Sequence, residues 1–153
     1  MNLTEHFTLD EFADSQTAAR LGLDNTPSEE VIANLRGLCD TILEPARQAL
    51  GPLRISSGYR APAVNAAVGG SKGSAHMLGF AADVIPVEVS KLTFARWVKQ
   101  WVPFDQVIGE YGVPGAGPEG QPAWIHVSCG PALRAETLRV VADGRGYRLW
   151  DLT

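Results

Sequence analysis

The chain has 153 residues, 45% of them hydrophobic and 20% charged, with a net charge of −4. That length and composition predict one soluble globular domain spanning 1–153 with a single core. The charge gives no reason to expect nucleic acid or an anionic membrane as a partner, and no apolar run approaches a membrane span.

Thr8-Leu9-Asp10-Glu11-Phe12 predicts a short first helix, with Thr8 as N-cap and Glu11 closing a capping box. Thr26-Pro27-Ser28-Glu29 predicts a second start, with Thr26 as N-cap and proline at the first helical position. The helix that follows carries Val31, Ile32, Leu35, Leu38, Cys39, Ile42 and Leu43 at helical spacing. Pro45 should kink it or open its last turns, and Gly51-Pro52 should end it.

Residues 53–57 read as a strand, 61–68 as a short helix and 80–85 as a second strand stopped by Pro86. Ser90 caps a helix through Trp101, whose Trp97 and Trp101 read as core or surface cover. Residues 105–111 and 123–129 read as two strands, and the Gly/Pro-rich segment 112–122 as an exposed hairpin loop. Residues 138–141 and 147–150 flank Asp143-Gly144-Arg145-Gly146, a hairpin signal. The fold class is α+β: a small antiparallel sheet with helices packed on one face and the candidate site on the sheet.

The most informative residues interrupt this pattern. His76 lies in a stretch of small residues, and Asp83 and His126 each break an apolar strand. A carboxylate inside an apolar strand is costly unless it is paired or holds a metal. Each histidine alone has a bland reading, a solvated loop residue or a satisfied core residue. Two imidazoles and a carboxylate together make a zinc set, and three protein ligands leave a fourth tetrahedral position for water, as in catalytic sites. The two cysteines, Cys39 and Cys129, read as ordinary reduced thiols. Cys129 is three residues from His126 and points to the opposite face of a regular strand, which argues against a ligand role.

Ser74-x-His76-x-x-Gly79-x-Ala81-x-Asp83, followed by Trp124-Ile125-His126, resembles the zinc peptidases of the M15 type. That group includes D-alanyl-D-alanine carboxypeptidases and phage endolysins that cut peptidoglycan stem peptides. Residues 6–12, Leu43-Glu44-Pro45, Ser57-Gly58-Tyr59-Arg60 and residues 104–108 resemble its phage and prophage branch. The resemblance covers residues 3–130 and leaves out the C-terminal hairpin. It implies one Zn²⁺ per chain, bound by His76, Asp83 and His126. It also implies that Arg60 holds substrate or the developing oxyanion. Tyr59 and Ser74 are further candidates for the substrate site, and Ser74 is placed either to bond Asp83 or His76 and orient that ligand or simply to cap a turn.

Some M15 relatives place a glutamate or a second histidine just before the last ligand, where this chain has Ala123 and Trp124. The general base must come from elsewhere. Glu110 is the candidate, because antiparallel pairing of Glu110 with Trp124 and Ile108 with His126 puts Glu110 and His126 on one face. A slip of one residue would turn Glu110 away, and Asp105 is the weaker alternative.

Two functions from different classes follow. One is a zinc peptidase, endopeptidase or D,D-carboxypeptidase, acting on peptidoglycan stem peptides. The other is a non-catalytic zinc module that only binds cell-wall peptide or protein. A monomer is the default expectation. The N-terminus lacks the basic and apolar regions of a signal peptide. The expectation is synthesis in a bacterial cytoplasm and action at the wall after phage lysis or from a virion.

Overall fold

The structure, a computed structural model, describes residues 1–113 and 120–153. Its helices are α1 (Leu9–Ala13), α2 (Gln16–Leu21), α3 (Glu29–Leu38), α4 (Glu44–Leu50), α5 (Pro62–Ala67) and α6 (Lys91–Trp101). Its strands are β1 (Leu53–Ser57), β2 (Ala81–Pro86), β3 (Gln106–Glu110), β4 (Trp124–Ser128), β5 (Glu136–Val140) and β6 (Arg148–Leu149). The α+β class holds. The sheet runs β1-β2-β4-β3-β5-β6, and its pairings are antiparallel except β3 with β5, which run parallel. No helix among the described residues is long and apolar enough to cross a membrane.

Local chemistry sets the element ends. Thr8 and Glu11 form the expected capping box at α1. The start of α3 lies further on than the sequence suggests: Ser28, not Thr26, is the N-cap, and its hydroxyl accepts the Val31 N–H. Proline at the first helical position therefore does not apply here, and Pro27 ends the extended approach instead. Pro45 opens the last turns, standing in the first turn of α4. A π turn, Cys39–Leu43, precedes it, and the Glu44 N–H donates to Cys39 O. The wider turn accommodates a ring that cannot donate and would crowd the preceding carbonyls.

One face of the sheet carries the core. Ala82, Val84, Val107, Ile125 and Val127 pack with Leu35, Leu38, Ile42, Leu43, Phe94 and Val98 from α3, the π turn and α6. Phe7, Phe12, Trp150 and Leu152 join the same cluster, so both chain ends are built into it. Cys39 is fully buried there, and burial pushes its thiol up to about 12. Side chains alternate along a strand, so burying 125 and 127 turns His126 to the opposite, open face.

The segment expected as a hairpin loop has its middle, 114–119, outside the described residues. At its ends, Val113 and Gln121 form an antiparallel bridge.

Candidate metal centre and groove

Cross-strand register assembles the site. Asp83 lies opposite His126, His126 opposite Ile108, and Glu110 opposite Trp124. This is the β3–β4 register expected from the sequence. His76 arrives from a one-turn 3₁₀ helix, Ala75–Leu78, which ends at Gly79 with φ of 80°. A β-carbon at Gly79 would also lie 2.7 Å from Val31 O, so glycine answers both the backbone conformation and the close approach.

His76 Nε2, His126 Nδ1 and Asp83 Oδ1 converge. The two nitrogens are 3.2 Å apart, and each lies 3.3 Å from the carboxylate oxygen. A tetrahedral zinc with bonds of 2.0–2.1 Å needs donor atoms about 3.3–3.4 Å apart. All three residues are buried, and Asp83 Oδ1 has no hydrogen-bond partner. A buried oxygen left unbonded is costly, and a cation in the triangle would satisfy it.

The neighbours fix the ligand atoms. His76 Nδ1 is 2.7 Å from Gly58 O and must carry the proton to donate there, which leaves the Nε2 lone pair free for a metal. Ser74 accepts the His76 backbone N–H at 3.3 Å and so caps the turn rather than bonding Asp83. Burial alone would raise the Asp83 pKa, but the two imidazoles that face its carboxylate, His126 and His76, hold it well below the usual carboxylate range.

Glu110 Oε1 lies 4.0 Å from His126 Nδ1. Burial, followed by the charge of Asp83, pushes its carboxyl up to about 7, against the opposing pull of His126 and Arg60. A carboxylate poised there suits proton transfer near neutrality. Asp105, the weaker alternative, is not among the residues that line the groove. Its Oδ1 accepts from Arg134 N and Nε at 3.0 and 2.8 Å, and its Oδ2 from Arg134 Nη2 at 2.9 Å. Both oxygens are committed to fastening the segment that leads into β5.

Arg60 stands at the edge of the triangle, with Nη2 3.6 Å from Asp83 Oδ2. A bulge places Ser57 opposite Asp83 at the end of β1 and aims the following loop at the site. Ser57 Oγ and Asn65 Oδ1 accept from Arg60 Nε and Nη1 at 3.3 and 3.0 Å. Asn25 clamps the same loop: its amide donates to Tyr59 O at 3.1 Å, and its Oδ1 accepts from Ala61 N at 2.7 Å. Tyr59 touches the groove but packs most of its surface into the core.

Sequence reasoning missed Asn25 and Asn65. Asn65 is buried inside a short helix, an unfavourable place for asparagine unless its amide is bonded. That misfit was a legible signal; nothing in the sequence marks Asn25.

The centre lies in a groove of about 1280 Å³ on the open face. It runs from α1–α2 and Arg54 past Arg60 and the triangle to Leu138 and Tyr147.

The Peptidase M15 family model matches residues 5–128. The chain belongs to the M15 peptidases. The match takes in the whole triangle, Arg60 and Glu110, and stops before β5. No curated protein matches the chain. The stretches around His6 and Glu44, both inside the M15 match, meet in space. Glu44 accepts from Thr4 Oγ1 at 2.7 Å, from the His6 N–H at 2.6 Å, and pairs with His6 Nδ1 at 2.9 Å.

Proposed function

We propose that this M15 peptidase is a zinc-dependent hydrolase of peptidoglycan stem peptides, and that the whole chain forms one catalytic domain. The carrying observation is three buried donor atoms at tetrahedral spacing, one of them unbonded, with the Glu110 carboxyl 4.0 Å from His126 Nδ1. His76, Asp83 and His126 would hold the metal. Zinc bound there supplies a Lewis acid for the scissile carbonyl and a lowered pKa for the attacking water.

Glu110 would take a proton from the attacking water and return it to the leaving amine. Arg60 holds Asp83 in place through Oδ2 and turns positive charge toward the oxygen that becomes anionic. Ser57 and Asn65 keep its guanidinium oriented. Gly58 O fixes the protonation of His76. The groove accommodates an extended peptide across the open face. Delivery to the wall through phage lysis, or as part of a virion, fits this activity.

Incubating zinc-loaded protein with purified peptidoglycan and identifying new termini by mass spectrometry tests the reading. New amino and carboxyl termini at one defined stem-peptide bond are expected. Intact peptides in the presence of bound zinc would favour a binding module instead.

A further inference from the structure

The family match ends at residue 128, yet the groove does not. Its far wall is built by the β5–β6 hairpin. Leu138 lies beside Ile108, which in turn lies beside His126. Leu138 and Ile108 thus continue the row of the metal ligands across the open face. On β6, Leu149 pairs with Leu138, and Tyr147 immediately precedes that strand. Tyr147 lines the groove while 58% exposed. Burial first, and then the charges of Glu110, Tyr111 and Asp83, hold its phenol above the usual value, so the ring lies within electrostatic reach of the proposed base.

We propose that Tyr147 and Leu138 form a substrate subsite, outside the family's matched region, that takes a peptide residue with an uncharged side chain. The proposal rests on the peptidase reading for the position of the cleaved bond. Two observations select the side chain. The walls are an aromatic ring and two aliphatic side chains, Leu138 and Ile108. Among the described residues, that wall offers no cation to pair with a carboxylate, and Glu110, the nearby acid outside the ligand set, repels one. The opposite arm of the groove carries Arg54 and Arg60 beside Glu11 and Asp14, so a charged group of either sign finds an opposite charge there. Tyr147 is a specificity residue in this scheme and takes no part in proton transfer.

The test uses soluble stem peptides prepared from purified peptidoglycan, titrated calorimetrically against the zinc-loaded protein and followed for turnover. Losing one aromatic contact in Tyr147→Ala should weaken binding about fivefold and raise KM by the same factor. kcat, zinc content and melting midpoint should stay unchanged. Tyr147→Phe should behave as wild type. In synthetic peptides, glutamate in place of alanine at one residue flanking the cut should weaken binding to wild type. Tyr147→Ala should discriminate less between the two.

Equal affinity of wild type and Tyr147→Ala overturns the proposal. So does a Tyr147→Phe variant as defective as Tyr147→Ala, which would put the function in the hydroxyl. So does indifference to glutamate at both flanking positions. Binding without cleavage overturns the peptidase reading while the Tyr147 comparison still tests the subsite. No binding by wild type overturns both.

Discussion

His76, Asp83 and His126 each carry a cost that only a shared partner relieves. The Asp83 carboxylate is buried with one oxygen unbonded, and two imidazole nitrogens crowd it at 3.3 Å. Removing one member should leave a two-donor site too weak for stable zinc. His76→Ala is expected to reduce zinc from about one per chain to a small fraction, read by metal analysis after dialysis. Full zinc retention would overturn the assignment. Glu110 makes a complementary prediction. Glu110→Gln keeps size and hydrogen bonding but cannot accept a proton, so turnover should fall on the order of 10²–10⁴-fold with zinc content unchanged.

At the scale of elements, the joints between strands and loops carry the site. Gly58 follows β1, and its carbonyl is the partner of His76 Nδ1. A β-carbon on Gly58 would lie 2.6 Å from Phe12 Cα, a backbone atom that cannot step aside. Gly58→Ala should therefore cost about 1–3 kcal/mol, as overpacking does, and lower zinc affinity in the same variant. Thermal melts and zinc titration together check this.

Asp105 joins β3 to the approach of β5. Hydrogen bonding to Arg134 is the leading cause that lowers its pKa, and it outweighs burial. A carboxylate depressed in the folded state stabilises above its unfolded pKa and loses that contribution as pH falls through the folded value. Asp105→Asn should cost ~1 kcal/mol at neutral pH, since Arg134 is half exposed and water screens it. The gap between wild type and variant should close below about pH 4, where the unfolded-state carboxyl titrates. Denaturant melts at neutral and acid pH read it; a pH-independent gap would remove Asp105 from this role.

For the whole molecule, the hairpin beyond the family match is integral to the fold. β5 covers the edge of β3, and Trp150 and Leu152 belong to the main core. A chain ending at Gly130 exposes a strand edge and uncovers that core. It should lose its cooperative melt and aggregate, although every matched residue is retained. A truncated protein that folds and binds zinc would show the hairpin to be an accessory.

Much of this was legible because it depends on local pattern. The capping box at α1, the Ser90 cap of α6 and the strand alternation that turns Asp83 and His126 away from the core are all short-range chemistry. Register, too, was readable where one face is buried, because a slip of one residue would bury Glu110 and expose Val107. The ligand types and their spacing therefore pointed to zinc from the sequence by itself. Tertiary structure decided what depends on distant segments meeting. The parallel β3–β5 pairing, the Asn25 clamp on the Arg60 loop and the capture of Asp105 by Arg134 join residues 29 to 36 positions apart, and Tyr147 reaches the groove from beyond β5. No local preference encodes such meetings; they follow from which faces must be buried together and which buried polar atoms must find partners.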